Sequence, residues 1–110
     1  MFLRIIILKG GRKNMVSVNE LQTELRPVFM SFGIKKAVLF GSVSKGTNTE
    51  NSDIDIMVDS NLKGLKFLGL LERLKEVSGM EIDLIDVSHI EKNSAVESEI
   101  RRTGKIIYEE

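Results

Sequence analysis

The chain has 110 residues, of which 42% are hydrophobic and 29% are charged, and its formal net charge is zero. This length predicts a single domain with a modest core, and the neutral charge argues against a general nucleic-acid-binding protein. Because the chain has no cysteine and one histidine, disulfide scaffolds and thiolate or multi-histidine metal sites are excluded. Any metal must be held by oxygen ligands, which favours Mg²⁺ or Mn²⁺.

Residues 1–14 precede the predicted domain, which we place at residues 15–110. The apolar segment from Met1 to Leu8 is followed by the basic segment from Lys9 to Lys13, whereas a signal peptide carries its charges before the apolar core. No apolar run in the sequence is long enough to span a bilayer. We therefore expect a cytoplasmic protein that does not act at a membrane. Residues 1–14 form either a poorly ordered extension, which we favour, or an edge strand.

The first predicted elements are a helix and a buried strand. Ser17 and Glu20 stand at the spacing of a capping box, and the apolar residues that follow at helical spacing predict a helix from Val18 to Ser31. Pro27 should kink or shorten this helix, because proline lacks the N–H that a helix interior requires. The short apolar segment from Lys36 to Phe40 then predicts a buried strand.

The remaining elements complete an α+β fold. We predict a strand from Asp53 to Val58, a long helix from Leu62 to Ser78, a strand from Glu81 to Val87, a helix from Ala95 to about Arg102 and a last strand from Lys105 to Tyr108. The long helix allows a crossover between parallel strands, so these elements predict a small mixed β-sheet covered by helices. Apolar residues repeat along the long helix, and we expect all of them in the core: Leu65, Leu68, Leu71, Leu74 and Val77.

Two carboxylates open the second predicted strand. Residues two apart in a strand point to the same face, so Asp53 and Asp55 share one side while Ile54 and Ile56 face the core. Neighbouring carboxylates raise each other's pKa unless a cation lies between them. The pair therefore predicts a divalent-metal site, and the alternative is a solvated strand face.

The third predicted strand offers another acid to this pair. Asp83 and Asp86 are three residues apart, so they point to opposite faces of the strand and only one of them can join Asp53 and Asp55. The side-chain pattern alone does not choose between them.

A Gly-Ser turn lies between the first two strands. Gly41 allows the backbone to approach a phosphate closely, and Ser42 adds a hydroxyl at the start of a following helical turn, whose N–H groups favour anions. Turns use these residue types widely, so the interpretation depends on the acids that follow. Lys45 either contacts phosphate as a point charge or is a solvated loop lysine.

In combination these motifs resemble a known family. Gly41-Ser42, then Gly46, then Ser52-Asp53-Ile54-Asp55 is similar to the signature of the nucleotidyltransferase superfamily related to DNA polymerase β. The small size resembles the minimal, MntA-like antitoxin nucleotidyltransferases that are often paired with a HEPN-domain toxin. The resemblance covers residues 17–108 and implies a fold like the polymerase β palm.

The resemblance also implies roles for individual residues. Gly41 and Ser42 would hold the β- and γ-phosphates of ATP, and Asp53 and Asp55 would bind two Mg²⁺ ions. The third acid of the family matches Asp83, which would help to bind metal and to activate the attacking hydroxyl. The family often carries Ala-Arg where this chain has Ser44-Lys45, a change that keeps the positive charge without the planar fork of arginine.

Three functions follow as hypotheses. The first is a Mg²⁺-dependent nucleotidyltransferase that moves AMP from ATP to a hydroxyl, with a tyrosine of a partner HEPN toxin as the acceptor that the resemblance implies. The second is a non-catalytic antitoxin or binding module that neutralises its partner by stoichiometric contact. The third, weaker hypothesis is transfer to a small molecule or to an RNA end, and the neutral charge argues against RNA. Because 110 residues leave no room for a second domain, we expect that the acceptor protein completes the site or that the chain forms a homo-oligomer.

Three further residues are candidates for a functional role. His89 is the single histidine, and we interpret it as a solvated loop residue after the third strand. Arg101 and Arg102 could reach a nucleotide or a partner, although a helix C-terminus favours cations for its own sake.

Overall fold

The centre of the fold is a four-stranded β-sheet, seen in a computed structural model that describes residues 17–46 and 53–110. Its strands run in the order β3-β2-β1-β4. They are β1 (Lys36–Phe40), β2 (Ile54–Asp59), β3 (Ile82–Asp86) and β4 (Lys105–Glu109). β1 is antiparallel to both β2 and β4, whereas β2 and β3 are parallel. The predicted α+β class with a mixed sheet is therefore confirmed.

Four α-helices are found in the described part of the chain. They are α1 (Val18–Ser31), α2 (Gly41–Lys45), α3 (Leu65–Ser78) and α4 (Ala95–Thr103), and a 3-10 turn at Val87–His89 follows β3. None of them is long and apolar enough to cross a membrane. The predicted extension at residues 1–14 and the domain start at residue 15 lie outside the described residues, as do residues 47–52.

The first helix begins and ends where the sequence predicts. The capping box is formed, since the Glu20 N–H donates to Ser17 Oγ at 3.1 Å and the Ser17 N–H donates to Glu20 Oε1 at 3.3 Å. Pro27 lies inside the helix and does not shorten it, because α1 continues to Ser31. The chain then turns at Gly33, whose φ is 68°, and enters β1.

The core lies between one face of the sheet and helices α1 and α3. Along β2, Ile54, Ile56 and Val58 are fully buried, while Asp55 on the opposite face is half-buried. This alternation confirms the predicted orientation of β2. Leu70 and Leu74 of α3 complete the core against the buried residues of α1.

The prediction that the whole leucine repeat of α3 is buried was wrong. Leu65 and Leu68 are 85% and 53% exposed, and the buried face of the helix is centred on Leu70 and Leu74 instead. Residues three apart are separated by about 300° around a helix of 3.6 residues per turn. A strict three-residue repeat therefore drifts by about 60° at each step and leaves the core face within two steps.

Helix α3 connects the two parallel strands of the sheet, as the crossover prediction required. The register pairs Ile54 with Ile82 and Asp55 with Asp83. This pairing places the two aspartates side by side on the sheet face opposite the core.

Candidate active site

Asp55 and Asp83 stand in register on neighbouring strands and line the same cavity. The cavity has a volume of about 390 Å³, and its other lining residues are Phe40, Ile85, Ala95, Val96 and Glu99. Asp83 is exposed and Asp55 is half-buried. The parallel register thus brings Asp83, and not Asp86, beside Asp55, while Asp53 lies exposed just before β2.

The electrostatics of this cluster centre on Asp55. Burial raises the pKa of the Asp55 carboxyl, and the nearby carboxylates of Asp83, Asp53 and Glu99 raise it further. Each of these like charges disfavours the ionised form of Asp55, and a cation placed among them would reverse that effect. The cluster is therefore a favourable place for a positive charge.

The donor set of the cluster suits Mg²⁺ in its chemistry, because every candidate ligand is a carboxylate oxygen. Across the described ranges, no group of three or more His, Cys, Asp or Glu side chains is close enough to hold a metal ion by itself. Mg²⁺ commonly takes one or two carboxylates together with substrate phosphates and water. Asp53, Asp55 and Asp83 therefore fit an ion that is shared with a bound phosphate better than one held in an all-protein cage.

The Gly-Ser turn touches this acid cluster directly. Helix α2 begins at Gly41, immediately after β1, and Gly41 has a φ of 79°. A Cβ atom placed on Gly41 would overlap the Asp55 carboxylate oxygen Oδ2 and would lie 3.3 Å from its Cγ. Glycine is thus required twice at this position, by the left-handed backbone and by the carboxylate packed against it.

The backbone N–H of Gly41 already has a partner within the protein. It donates to the hydroxyl Oγ1 of Thr103, at the end of α4, over 2.9 Å. The Gly41 N–H is therefore already engaged at this turn, and the contact predicted between Gly41 and a phosphate stays a prediction. The phosphate contact predicted for Ser42, which is half-buried, stays a prediction.

The other predicted cations have separate positions. Lys45 is exposed at the last residue of α2, where a helix C-terminus favours a cation in any case, so both interpretations of Lys45 remain. Arg101 pairs with Glu97 at 2.9 Å, and Arg102 pairs with Glu99. Both arginines form ion pairs with glutamates of their own helix, α4, and these pairs give no evidence of contact with a nucleotide.

His89 belongs to a different part of the surface. It is exposed on the 3-10 turn and lines a second cavity, of about 720 Å³, together with Asp59 and Asp86 at the carboxyl ends of β2 and β3. Asp55 and Asp83 do not line that cavity. The structure therefore separates His89 from the acid cluster.

Two residues near the cluster were missed by the sequence analysis, and both are on α4. Glu99 lines the cavity with Asp55, and Thr103 bonds to Gly41. No local sequence signal marks them, because their position follows from the pairing of β4 with β1. This pairing places Lys105 opposite Leu39, so the end of α4 must lie beside the end of β1.

Asp86 has a structural role instead. Its Oδ1 accepts from the N–H of Ser60 at 3.1 Å, and its Oδ2 accepts from the N–H of Ser88 at 3.0 Å. Both serine hydroxyls donate to the same carboxylate. Burial alone would raise the pKa of Asp86, but the hydrogen bonds from Ser60 and Ser88 outweigh it and lower the pKa below its usual value. Asp86 thus ties the loop after β2 to the turn after β3.

We expect Asp86→Asn to lower the free energy of unfolding at neutral pH by about 1–3 kcal/mol, because the amide cannot accept all four bonds. The pKa of Asp86 is lower in the folded than in the unfolded chain, where it is about 3.9. Its contribution is therefore complete above that value and is lost as the pH falls through the folded pKa. Urea unfolding between neutral and acidic pH would measure both effects.

The control for this prediction is Asp59→Asn, which removes a charge from the half-buried end of β2. The free energy of unfolding of the wild type and of the Asp59 variant should decrease as the pH is lowered. In the Asp86 variant this decrease should be smaller. Equal pH dependence of all three proteins would contradict the role given to Asp86.

Comparison with known proteins identifies a family whose model matches most of this chain. The family model described as Polymerase beta, Nucleotidyltransferase matches residues 23–110. A Methanocaldococcus jannaschii protein that is named provisionally as a protein adenylyltransferase is 33% identical to this chain. The aligned region covers 68% of this chain and 83% of that protein. The protein adenylyltransferase MntA of Thermococcus cleftensis is 36% identical over 58% of this chain and 67% of its own length.

A solved complex has the same fold in one of its chains. The complex contains a tri-AMPylated Shewanella oneidensis HEPN toxin and an MNT antitoxin, and the match has a TM-score of 0.64 and 18% identity. It covers 84% of this chain and 73% of the matched chain. At that identity the likeness shows a shared fold.

Proposed function

This chain belongs to the polymerase β nucleotidyltransferase family, and on that premise we propose that it transfers AMP from ATP to a hydroxyl of a partner protein. The observation that carries the proposal is the contact of the Gly41 turn with Asp55, while Asp55 stands in register with Asp83. A turn suited to phosphate and a carboxylate cluster suited to a divalent cation thus share one surface. That combination suits a nucleoside triphosphate bound with its metal.

The proposed roles follow the positions of the residues. Asp53, Asp55 and Asp83 would hold Mg²⁺, with two ions as the proposed number. The bound metal would supply a Lewis acid that stabilises charge on the phosphate oxygens. Gly41 and Ser42 would seat the triphosphate chain, and Lys45 would add a positive charge at the far end of α2.

The proposed reaction is a displacement at the α-phosphorus of ATP. The acceptor hydroxyl oxygen forms the new bond to this phosphorus, the bond to the β-phosphate oxygen breaks, and pyrophosphate leaves. Asp83 is exposed beside the cavity, so its carboxylate can reach the acceptor hydroxyl and take its proton. The acceptor would enter along the cavity side that Ile85 and Val96 line.

The proposed acceptor is a tyrosine of a HEPN toxin, which makes this chain the antitoxin of a pair. Support comes from the archaeal relatives named as protein adenylyltransferases and from the fold shared with a complex whose HEPN toxin is AMPylated. An ATP-dependent reaction on an intracellular toxin would take place in the cytoplasm.

The test is to incubate the chain with Mg²⁺, ATP and the HEPN protein encoded beside it, and to locate added AMP by mass spectrometry. We expect the wild type to modify a tyrosine and the double variant Asp53→Asn/Asp55→Asn to modify none. Asp59→Asn is the matched control, because it removes a carboxylate from the other end of the same strand. Transfer by the double variant, or none by the wild type, would rule out the enzymatic proposal.

Stoichiometric neutralisation of the toxin is the second candidate. It is supported by the fold shared with the MNT antitoxin complex, since a likeness of fold does not depend on catalysis. The same double variant separates the candidates. If it adds no AMP yet still suppresses the toxin in a growth assay at equal protein levels, contact alone accounts for the antitoxin effect.

A further inference from the structure

Thr103, the last residue of α4, makes three hydrogen bonds, and two of them link that helix to α2, which begins at Gly41. Its hydroxyl Oγ1 accepts from the Gly41 N–H at 2.9 Å and donates to the backbone carbonyl of Glu99 at 2.8 Å. Its own carbonyl accepts from the hydroxyl of Ser44, inside α2. Thr103 is 9% exposed, so these bonds are made largely out of contact with water.

The two bonds of the Thr103 hydroxyl require a group that accepts and donates at once. Serine and threonine supply such a group, whereas valine has the same shape and supplies neither function. With valine at this position the buried N–H of Gly41 would lose its acceptor, which a buried backbone group rarely tolerates without moving. Any such movement of Gly41 would also displace the Asp55 carboxylate, because the two are in contact.

We infer that Thr103 is a positioning residue for the nucleotide site: it holds the start of α2 at the distance from Asp55 that the triphosphate chain requires. The inference rests on the proposed function. Thr103 acts through Gly41, the residue whose N–H it accepts. Its neighbour Gly104 shows how closely the end of α4 approaches β1, the strand that leads into Gly41, since a Cβ there would lie 3.0 Å from Val38 Cγ1.

The experiment compares Thr103→Val with Thr103→Ser in AMP transfer at varied Mg-ATP concentration. We expect Thr103→Val to raise KM for ATP about tenfold, the effect of one misplaced hydrogen-bonded group, while Thr103→Ser keeps the wild-type KM. Thr103→Ala, which cannot overpack, should show the same rise as valine. Affinity for the partner protein should be unchanged in all three variants.

Two controls separate positioning from simple loss of stability. Thr23→Val makes the same change at an exposed position of α1 and should alter nothing. Leu74→Ala removes a fully buried side chain of α3 and should lower the melting temperature. In assays well below that temperature, its KM for ATP should equal that of the wild type. A Thr103→Val protein that behaves like Leu74→Ala would overturn the inference.

Binding of a non-hydrolysable ATP analogue, measured by calorimetry with Mg²⁺, keeps the inference independent of the acceptor. If the wild type binds the analogue but transfers no AMP, the proposed function fails, while a weaker Thr103→Val complex would still support positioning. If the wild type transfers AMP and Thr103→Val binds the analogue as tightly, positioning alone fails. A wild type that binds no nucleotide would overturn both.

Discussion

Gly41→Ala is expected to lower kcat/KM for AMP transfer at least about a hundredfold while the protein still folds. The added methyl would occupy the space of the Asp55 carboxylate, so either the carboxylate or the turn must move. Displacements of about 1 Å at a reacting centre cost about a hundredfold in rate. Here both displaced groups belong to the proposed nucleotide site. The measurement is the rate of AMP transfer at several ATP concentrations.

Gly33→Ala is the matched control, because it separates steric overlap from backbone strain. Gly33 also has a positive φ, 68°, but a Cβ there would meet nothing within 4 Å. Either alanine should cost about 1–2 kcal/mol in stability through the left-handed backbone. The Gly33 variant should keep full transfer activity, and the Gly41 variant should not. Equal activity of the two variants would show that the contact between Gly41 and Asp55 does not matter for the reaction.

Local signals predicted much of this fold. The capping box at Ser17 and the stop at Gly33 set the limits of α1, since both depend on hydrogen bonds and dihedrals within a few residues. The alternation along β2 predicted which side of the sheet carries Asp55, because the two-residue period of a strand depends only on its backbone. A helix-length connection likewise implied a crossover between parallel strands.

Positions that depend on pairing between distant segments were beyond local signals. The pattern of β3 left Asp83 and Asp86 equivalent, and only the resemblance chose Asp83, whereas the structure places it through the register with Asp55. Thr103 contacts Gly41 although the two are 62 residues apart in the sequence. The spacing of apolar residues along a helix or strand does not predict such a contact. The exposure of Leu65 has a different cause, since the three-residue repeat drifts around the helix, and this drift could have been found from the sequence.

Asp83→Asn is expected to reduce kcat for AMP transfer at least about a hundredfold without loss of stability. The amide keeps the shape of the side chain but removes the negative charge proposed to bind the cation and to take the acceptor proton. Stabilisation of charge by a bound metal is worth several kcal/mol, and a loss of about 2.7 kcal/mol corresponds to a hundredfold in rate. Because Asp83 is exposed, the fold does not depend on its charge.

The opposite result is expected at the neighbouring acid of the same strand. Asp86→Asn should keep the transfer rate per folded molecule and lose stability, because Asp86 is buried and its hydrogen bonds go to Ser60 and Ser88. Transfer rates and urea unfolding measured on both variants would therefore give a crossed pattern. A merely local disturbance of β3 would impair both variants in the same assay, so the crossed pattern distinguishes a site carboxylate from a structural one. If Asp83→Asn transferred AMP at the wild-type rate, Asp83 would not be the third acid of the site. Glu99 lines the same cavity, so Glu99→Gln would then be the next variant to test.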